Sequence, residues 1–126
     1  MVEIHLPDAL VSQLQQEKKP VPPPITGIGL IDSGASISGI DETHAQKLGL
    51  ISIEPVNVST PIGSKTKSLY AVKLGFPGTT LPAVPFIRVI GNEVKSQGID
   101  VLIGRDYLAD KVLIYNGPMR LYTVCY

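Results

Sequence analysis

A mostly-β fold of short strands and tight turns is what this sequence predicts, and three features predict it. Twelve Gly and eleven Pro punctuate the 126 residues, the apolar runs between them are short, and β-branched residues dominate those runs. Helix is the minor component. The length is room for one domain with one core, and a chain of this size buries enough surface to fold without staples. Lys and Arg total 11 against 11 Asp and Glu, for zero formal charge and an isoelectric point near 6.7, which argues against nucleic acid and anionic membrane as partners. A mean hydropathy of +0.21 is apolar for a small monomer, so self-association is expected before any motif is read. No basic stretch followed by an apolar run opens the chain and no run is long enough to span a bilayer, so neither a secretory signal nor a membrane span is expected. The single Cys125 has no partner for an internal bridge and is expected as a free thiol in a reducing, cytoplasmic setting.

Taken in order, Val2 to Leu6 alternates apolar and polar as a strand does, and Pro7-Asp8 offers an N-cap to a helix from Ala9 to Lys19 with Leu10, Val11 and Leu14 on one face. The prolines of Pro20 to Pro24 cannot donate to a ladder, so this stretch is a stiff extended connector. Gly29 to Ile31 reads as a buried strand running into a turn through Ser36. Asp41 to Leu48 reads as a helix, capped by Asp41 and stopped by Gly49. Two alternating stretches, Ile53 to Ser59 and Lys67 to Leu74, flank a hairpin tip at Thr60-Pro61-Ile62-Gly63-Ser64. Gly75 to Pro82 is turn material, Ala83 to Ile90 a strand, and Ile99 to Ile103 another that enters Gly104-Arg105-Asp106 and a short helix through Lys111. Val112 to Tyr115 and Arg120 to Tyr126 close the chain as two strands about a turn at Asn116-Gly117-Pro118.

Asp32-Ser33-Gly34 places an acid where the apolar residues Leu30 and Ile31 break into a turn of small residues. An ionisable group leaving a core is costly unless used or paired, although the tripeptide alone also fits an ordinary Asx-turn. A second motif changes its weight. Leu102-Ile103-Gly104-Arg105-Asp106, far downstream, is again an apolar strand ending in Gly ahead of a short helix.

With this pair in this order and a hairpin between, the chain resembles the retropepsin-like aspartic proteases, the single-lobe family of retroviruses that also has bacterial members; a bacterial-type member is expected. The likeness runs from about residue 25 to the C-terminus. It implies a mostly β, closed-barrel-like lobe with one or two short helices that works as a two-fold homodimer on peptide or protein substrates. Residues 1–24 then supply a strand, a helix and the proline connector, and residues 25–126 the protease core. Asp32 takes the catalytic position, Ser33, Gly34, Ala35 and Ser36 the active-site loop, Thr60 to Ser64 the flap tip, and Leu102, Ile103, Gly104, Arg105 and Asp106 the supporting strand and helix. Family members interleave their chain ends, so Val2 to Leu6 and Leu121 to Tyr126 are the expected interface.

The chemistry explains the second chain. Peptide hydrolysis without metal or covalent nucleophile uses two carboxylates about one water, one ionised to take its proton and one protonated to polarise the carbonyl. Asp8, Asp41, Asp100, Asp106 and Asp110 are not followed by Ser/Thr-Gly, so Asp32 must meet Asp32 of another copy. Two features depart from the retroviral pattern. Ser36 stands where an acid usually pairs with the Arg105 equivalent, which leaves Arg105 to bond Asp106, a backbone carbonyl or the dimer mate, and Ser36 to bond locally or to substrate. The flap tip holds one Gly, Gly63, and places Ile62 to cap the cleft. His5 and His44 lack the spacing a metal site needs and are expected on the surface, so no metal or other cofactor is called for; no nucleotide-binding fingerprint occurs. A catalytically silent dimer that binds an extended segment by strand addition is the rival reading, and a small β domain with a chance Asp-Ser-Gly the third.

Overall fold

The computed structural model describes residues 1–126. In chain order the elements are β1 (Val2–His5), α1 (Asp8–Gln16), β2 (Ile25–Gly27), β3 (Gly29–Ile31), β4 (Gly39–Asp41), α2 (Glu42–Lys47), β5 (Glu54–Thr60), β6 (Gly63–Gly75), β7 (Val84–Asn92), a 3₁₀ turn at Lys95–Gln97, β8 (Val101–Ile103), α3 (Arg105–Leu108), β9 (Val112–Asn116) and β10 (Leu121–Cys125). Eight strands make one sheet in the order β2-β1-β6-β7-β4-β8-β3, with β5 branching off β6; β9 and β10 pair only with each other. The two ends of that order, β2 and β3, are joined in the chain through Ile28, so the sheet curls nearly closed. No helix is long and apolar enough to cross a membrane.

Alternation places the core. Val2 and Ile4 of β1, Tyr70, Val72 and Leu74 of β6, and Val89 of β7 point inward and are buried, together with Ile40 of β4 and Val101 and Ile103 of β8. Each fully buried aliphatic side chain stabilises the fold by about 1.5–3 kcal/mol. The polar first half of β6 leaves the barrel with β5 as a hairpin, in register from Glu54↔Leu69 to Thr60↔Gly63; its apolar second half returns to pair with β1 and β7. Helix α2 is capped by the Asp41 carboxylate, which accepts from the Thr43 amide at 3.0 Å, and Gly49 ends it at φ +66°, a conformation costly for any other residue.

Several expectations are corrected. Helix α1 is shorter than Ala9 to Lys19; Pro7 occupies the cap, and Asp8 lies in the first turn with its carboxylate on Lys73. The β5–β6 tip is only Pro61-Ile62, because Thr60 and Gly63 already pair. Strand β3 is not buried: Leu30 is 44% exposed. The N-terminal strand offers no edge to a partner, since β1 is paired on one side by β2 and on the other by β6 and its Val2 and Ile4 are in the core. Two strands, β2 and β4, have no forerunner in the sequence reading.

Candidate functional site

The topology brings the two motifs together. Strand β3 runs parallel to β8, with Ile31 opposite Ile103, so the segments that follow them, Asp32 to Ser36 and Gly104 to Asp106, emerge side by side at one end of the barrel. Strand β4 pairs antiparallel on the other edge of β8. The segment from Asp32 to Ser38 must therefore arch over the end of β8, and it lands on Gly104. A Cβ at Gly104 would sit 2.9 Å from the Ile37 carbonyl carbon and 3.0 Å from the Ser38 nitrogen, a spacing side chains do not tolerate, so glycine is what permits this close approach.

The arch is tied at several points. The Asp32 amide donates to the Ile103 carbonyl at 2.9 Å, and the Arg105 amide to the Ala35 carbonyl at 2.9 Å. Within the turn the Asp32 carboxylate accepts from the Gly34 amide at 2.9 Å through Oδ1, and the Ala35 amide donates to the Asp32 carbonyl at 3.2 Å. Arg105 clamps the loop from outside: Nη1 donates to the Ser33 carbonyl at 2.9 Å and the Gly34 carbonyl at 3.3 Å, and Nη2 to Ser36 Oγ at 3.0 Å. Of the alternatives left open for Arg105, the backbone carbonyls hold, joined by the hydroxyl of Ser36. Asp106 turns the other way, accepting from the Ser38 amide at 2.9 Å and the Ser38 hydroxyl at 2.6 Å.

Because Ser36 offers Arg105 a neutral acceptor, a carboxylate there gains a charge-assisted bond. Ser36→Asp is expected to raise unfolding free energy by up to about 1 kcal/mol, the ceiling for an exposed pair, as read by urea denaturation. A loss of stability would mean that the guanidinium is held by the carbonyls in a position no carboxylate can reach.

Beside the loop lies a cleft of about 430 Å³. One wall is Gly34 to Ile37, the other Asn57 to Ser59 of β5, with Ile90 behind, and Asp32 is its one acid. Thr60 to Ser64 do not line it; Ile62 is 88% exposed at the hairpin tip. Depressions of about 480 and 510 Å³ elsewhere, over the β6–β7 pairing and beside Phe86, do not include Asp32. Leu102 and Ile103 lie beneath the site as β8, with Ile103 in the core.

Three residues escaped the sequence reading, Ser38 at this end of the barrel and the pair His44 and Asp100 at the other end of β3 and β8. Ser38 is fully buried; its hydroxyl donates to Asp106 and accepts from the Gly104 amide at 2.9 Å, linking the two motifs. His44, expected on the surface, is 2% exposed, with Nε2 2.7 Å from Asp100 Oδ1 and Nδ1 buried without a partner. Asp100 also accepts from the Ile28 amide at 2.8 Å. Its burial works against ionisation, but the Ile28 amide and His44 outweigh that and lower its pKa. A signal for His44 existed: Asp41, His44, Ala45 and Leu48 are one helix face.

A family model described as aspartyl protease matches residues 26–107. Among solved structures, the solution structure of the simian foamy virus (mac) protease is similar to this chain with a TM-score of 0.47 and 18% identity, covering 64% of this chain and 78% of that one. No curated protein matches the sequence.

Proposed function

The chain belongs to the aspartyl protease family, and from that premise we propose that it is an endopeptidase whose site is completed by two copies of Asp32, one from each subunit of a homodimer. The observation that carries this reading is that the cleft holds one acid only, Asp32, whose carboxylate makes one hydrogen bond within the chain, from its own turn at Gly34. One carboxylate cannot be both base and acid in the same step. With two, the ionised Asp32 takes a proton from water as the oxygen adds to the carbonyl carbon, while the protonated Asp32 of the other copy donates to the carbonyl oxygen. Return of a proton to the amide nitrogen then lets the C–N bond break. Extended peptide lies between the β5–β6 hairpin, acting as a flap, and the acid pair. The walls at Ala35, Ile37, Val58 and Ile90 are uncharged, which favours uncharged side chains next to the scissile bond.

Hydrolysis of a broad peptide library across a pH series, with and without pepstatin and a chelator, tests the reading. Two like charges this close cannot both ionise, so the working pair shares one proton. Cleavage is expected on the acid side of neutrality, declining as rising pH removes that proton, blocked by pepstatin and indifferent to the chelator. Activity that peaks above neutrality, or that the chelator abolishes, would count against paired carboxylates.

A further inference from the structure

The segment Pro20-Val21-Pro22-Pro23-Pro24 joins α1 to β2 and belongs to no helix or strand. Its peptide bonds are all trans. Each proline ring fixes φ near −65° and holds the residue before it extended, so the segment is a left-handed polyproline II helix about 15 Å long. Three residues per turn give such a helix three edges: Pro20 with Pro23, Val21 with Pro24, and Pro22 alone. The surroundings agree with that division. Pro22 is the one residue of the segment that is half-buried; it borders both of two shallow depressions on the body, with Pro20 beside the one at Leu10 and Leu14 and Val21 and Pro24 beside the one at His5 and Val11. The other two edges are exposed. None of the carbonyls from Pro20 to Pro24 accepts a hydrogen bond within the chain.

Connecting α1 to β2 uses the Pro22 edge and leaves two apolar ridges and a row of free carbonyls facing solvent. We propose that these two edges are a docking ridge for a proline-recognition domain, one whose groove is lined by aromatic side chains and flanked by acidic ones. Three observations choose this partner. The ridge is rigid before anything binds, so little conformational entropy is lost on docking, and aromatic grooves take polyproline II segments by packing on two edges and donating to the backbone carbonyls. A partner strand is excluded, because prolines supply no N–H to a ladder. Immediately ahead of the ridge Lys18 is exposed and, unlike Lys19 on Glu17, makes no ion pair, so the flank of the groove that meets it is complementary when acidic. The ridge shares no residue with the cleft at Asp32; docking and cleavage are separate properties of the chain.

Titration of the full chain against a panel of isolated SH3 and WW domains tests this, read by the tryptophan fluorescence of each domain's groove, since the chain itself has no Trp. Domains with an acidic flank are expected to bind the wild type with a dissociation constant tighter than about 1 mM. The Pro20→Ala, Pro23→Ala double variant is expected to bind at least 10-fold more weakly with an unchanged far-ultraviolet circular dichroism spectrum, and Lys18→Glu to bind several-fold more weakly at low salt, the difference shrinking as salt is added. Pro82 and Pro85 have the same spacing, but Pro85 lies within β7, so Pro82→Ala, Pro85→Ala is expected to bind as the wild type does. A wild type that no domain of the panel binds, or a Pro20→Ala, Pro23→Ala variant that binds equally well, overturns the docking ridge and leaves the prolines a connector. An equal loss in the Pro82→Ala, Pro85→Ala variant overturns its assignment to this segment, and Lys18→Glu binding at wild-type strength overturns the acidic flank. Each of these outcomes leaves the acid pair untouched, because none depends on cleavage.

Discussion

Asp32→Asn is expected to abolish peptide hydrolysis, a fall on the order of 10⁴-fold for loss of acid and base together, while leaving the dimer intact or tighter. The amide preserves the local structure: its Oδ1 can still accept from the Gly34 amide, the one hydrogen bond the carboxylate makes in the chain. It cannot take a proton from water, and in the proposed dimer it removes the repulsion between the two facing Asp32 carboxylates. The variant also supplies a sharper test as an inactive subunit. With a ninefold excess of Asp32→Asn chain, random pairing leaves about one active subunit in ten with an active partner, so specific activity per active chain should fall to about a tenth. If Asp32 only closes a turn, the substitution shifts stability by about half a kcal/mol or less and cleavage is untouched by mixing. Full activity in the variant would end the aspartic mechanism at this residue.

The parts of the fold legible in the sequence are those whose signal is local. β1 and β6 show their alternation over enough residues to be read, β7 shows an apolar run, and α2 announces itself by the Asp41 cap and the left-handed Gly49. β2 and β4 do not. Each is three residues long and includes a glycine, too short for a period to show, and β4 exists because β7 and β8, many residues away, accept it on either side. The exposure of β3 and of the β9–β10 ribbon was equally hidden. A run such as Val112 to Tyr115 reads as core material, and only the topology leaves it outside the barrel.

The site divides along the same line. Asp32 and the Gly104 close approach were marked by unusual residues next to apolar runs, and the structure sets them side by side. The clamp was not readable to its end, because a serine hydroxyl and two backbone carbonyls carry no sequence signal that they receive Arg105. Ser38 is the same case: an undistinguished small residue until Asp106 and Gly104 are brought to it by the arch over β8. Arg105 and Asp106, adjacent and opposite in charge, do not pair but face away to hold different stretches of one loop.

A second carboxylate should respond to the same chemical change in the opposite way. Asp41 is 3% exposed and fills both its oxygens: Oδ1 accepts from the Thr43 amide at 3.0 Å and hydroxyl at 2.6 Å, and Oδ2 from the Val94 and Lys95 amides at 3.0 and 2.8 Å. Every partner is a donor, so Asp41→Asn must turn an NH₂ group onto donors whichever way it flips. Unlike Asp32→Asn, it should destabilise the fold by about 2–3 kcal/mol, close to the effect of Asp41→Ala, through the lost cap and unsatisfied buried amides. Burial opposes ionisation of Asp41, but the hydrogen bonds from Thr43, Lys95 and Val94 outweigh it and lower its pKa to about 2. A carboxyl depressed by folding contributes stability that is complete above its unfolded value of about 3.9 and is lost as pH falls toward the folded value. Unfolding free energy of the wild type should therefore drop between about pH 5 and pH 2 by about 2 kcal/mol more than that of Asp41→Asn, measured by urea midpoints across that range. Parallel curves for the two proteins would show that the anion contributes nothing to the fold. The window also bears on the proposed function: the loss sets in mainly below about pH 4, so the moderate acidity at which the proposed peptidase is to be assayed leaves the Asp41 tie, and with it the loop between β7 and β8, in place.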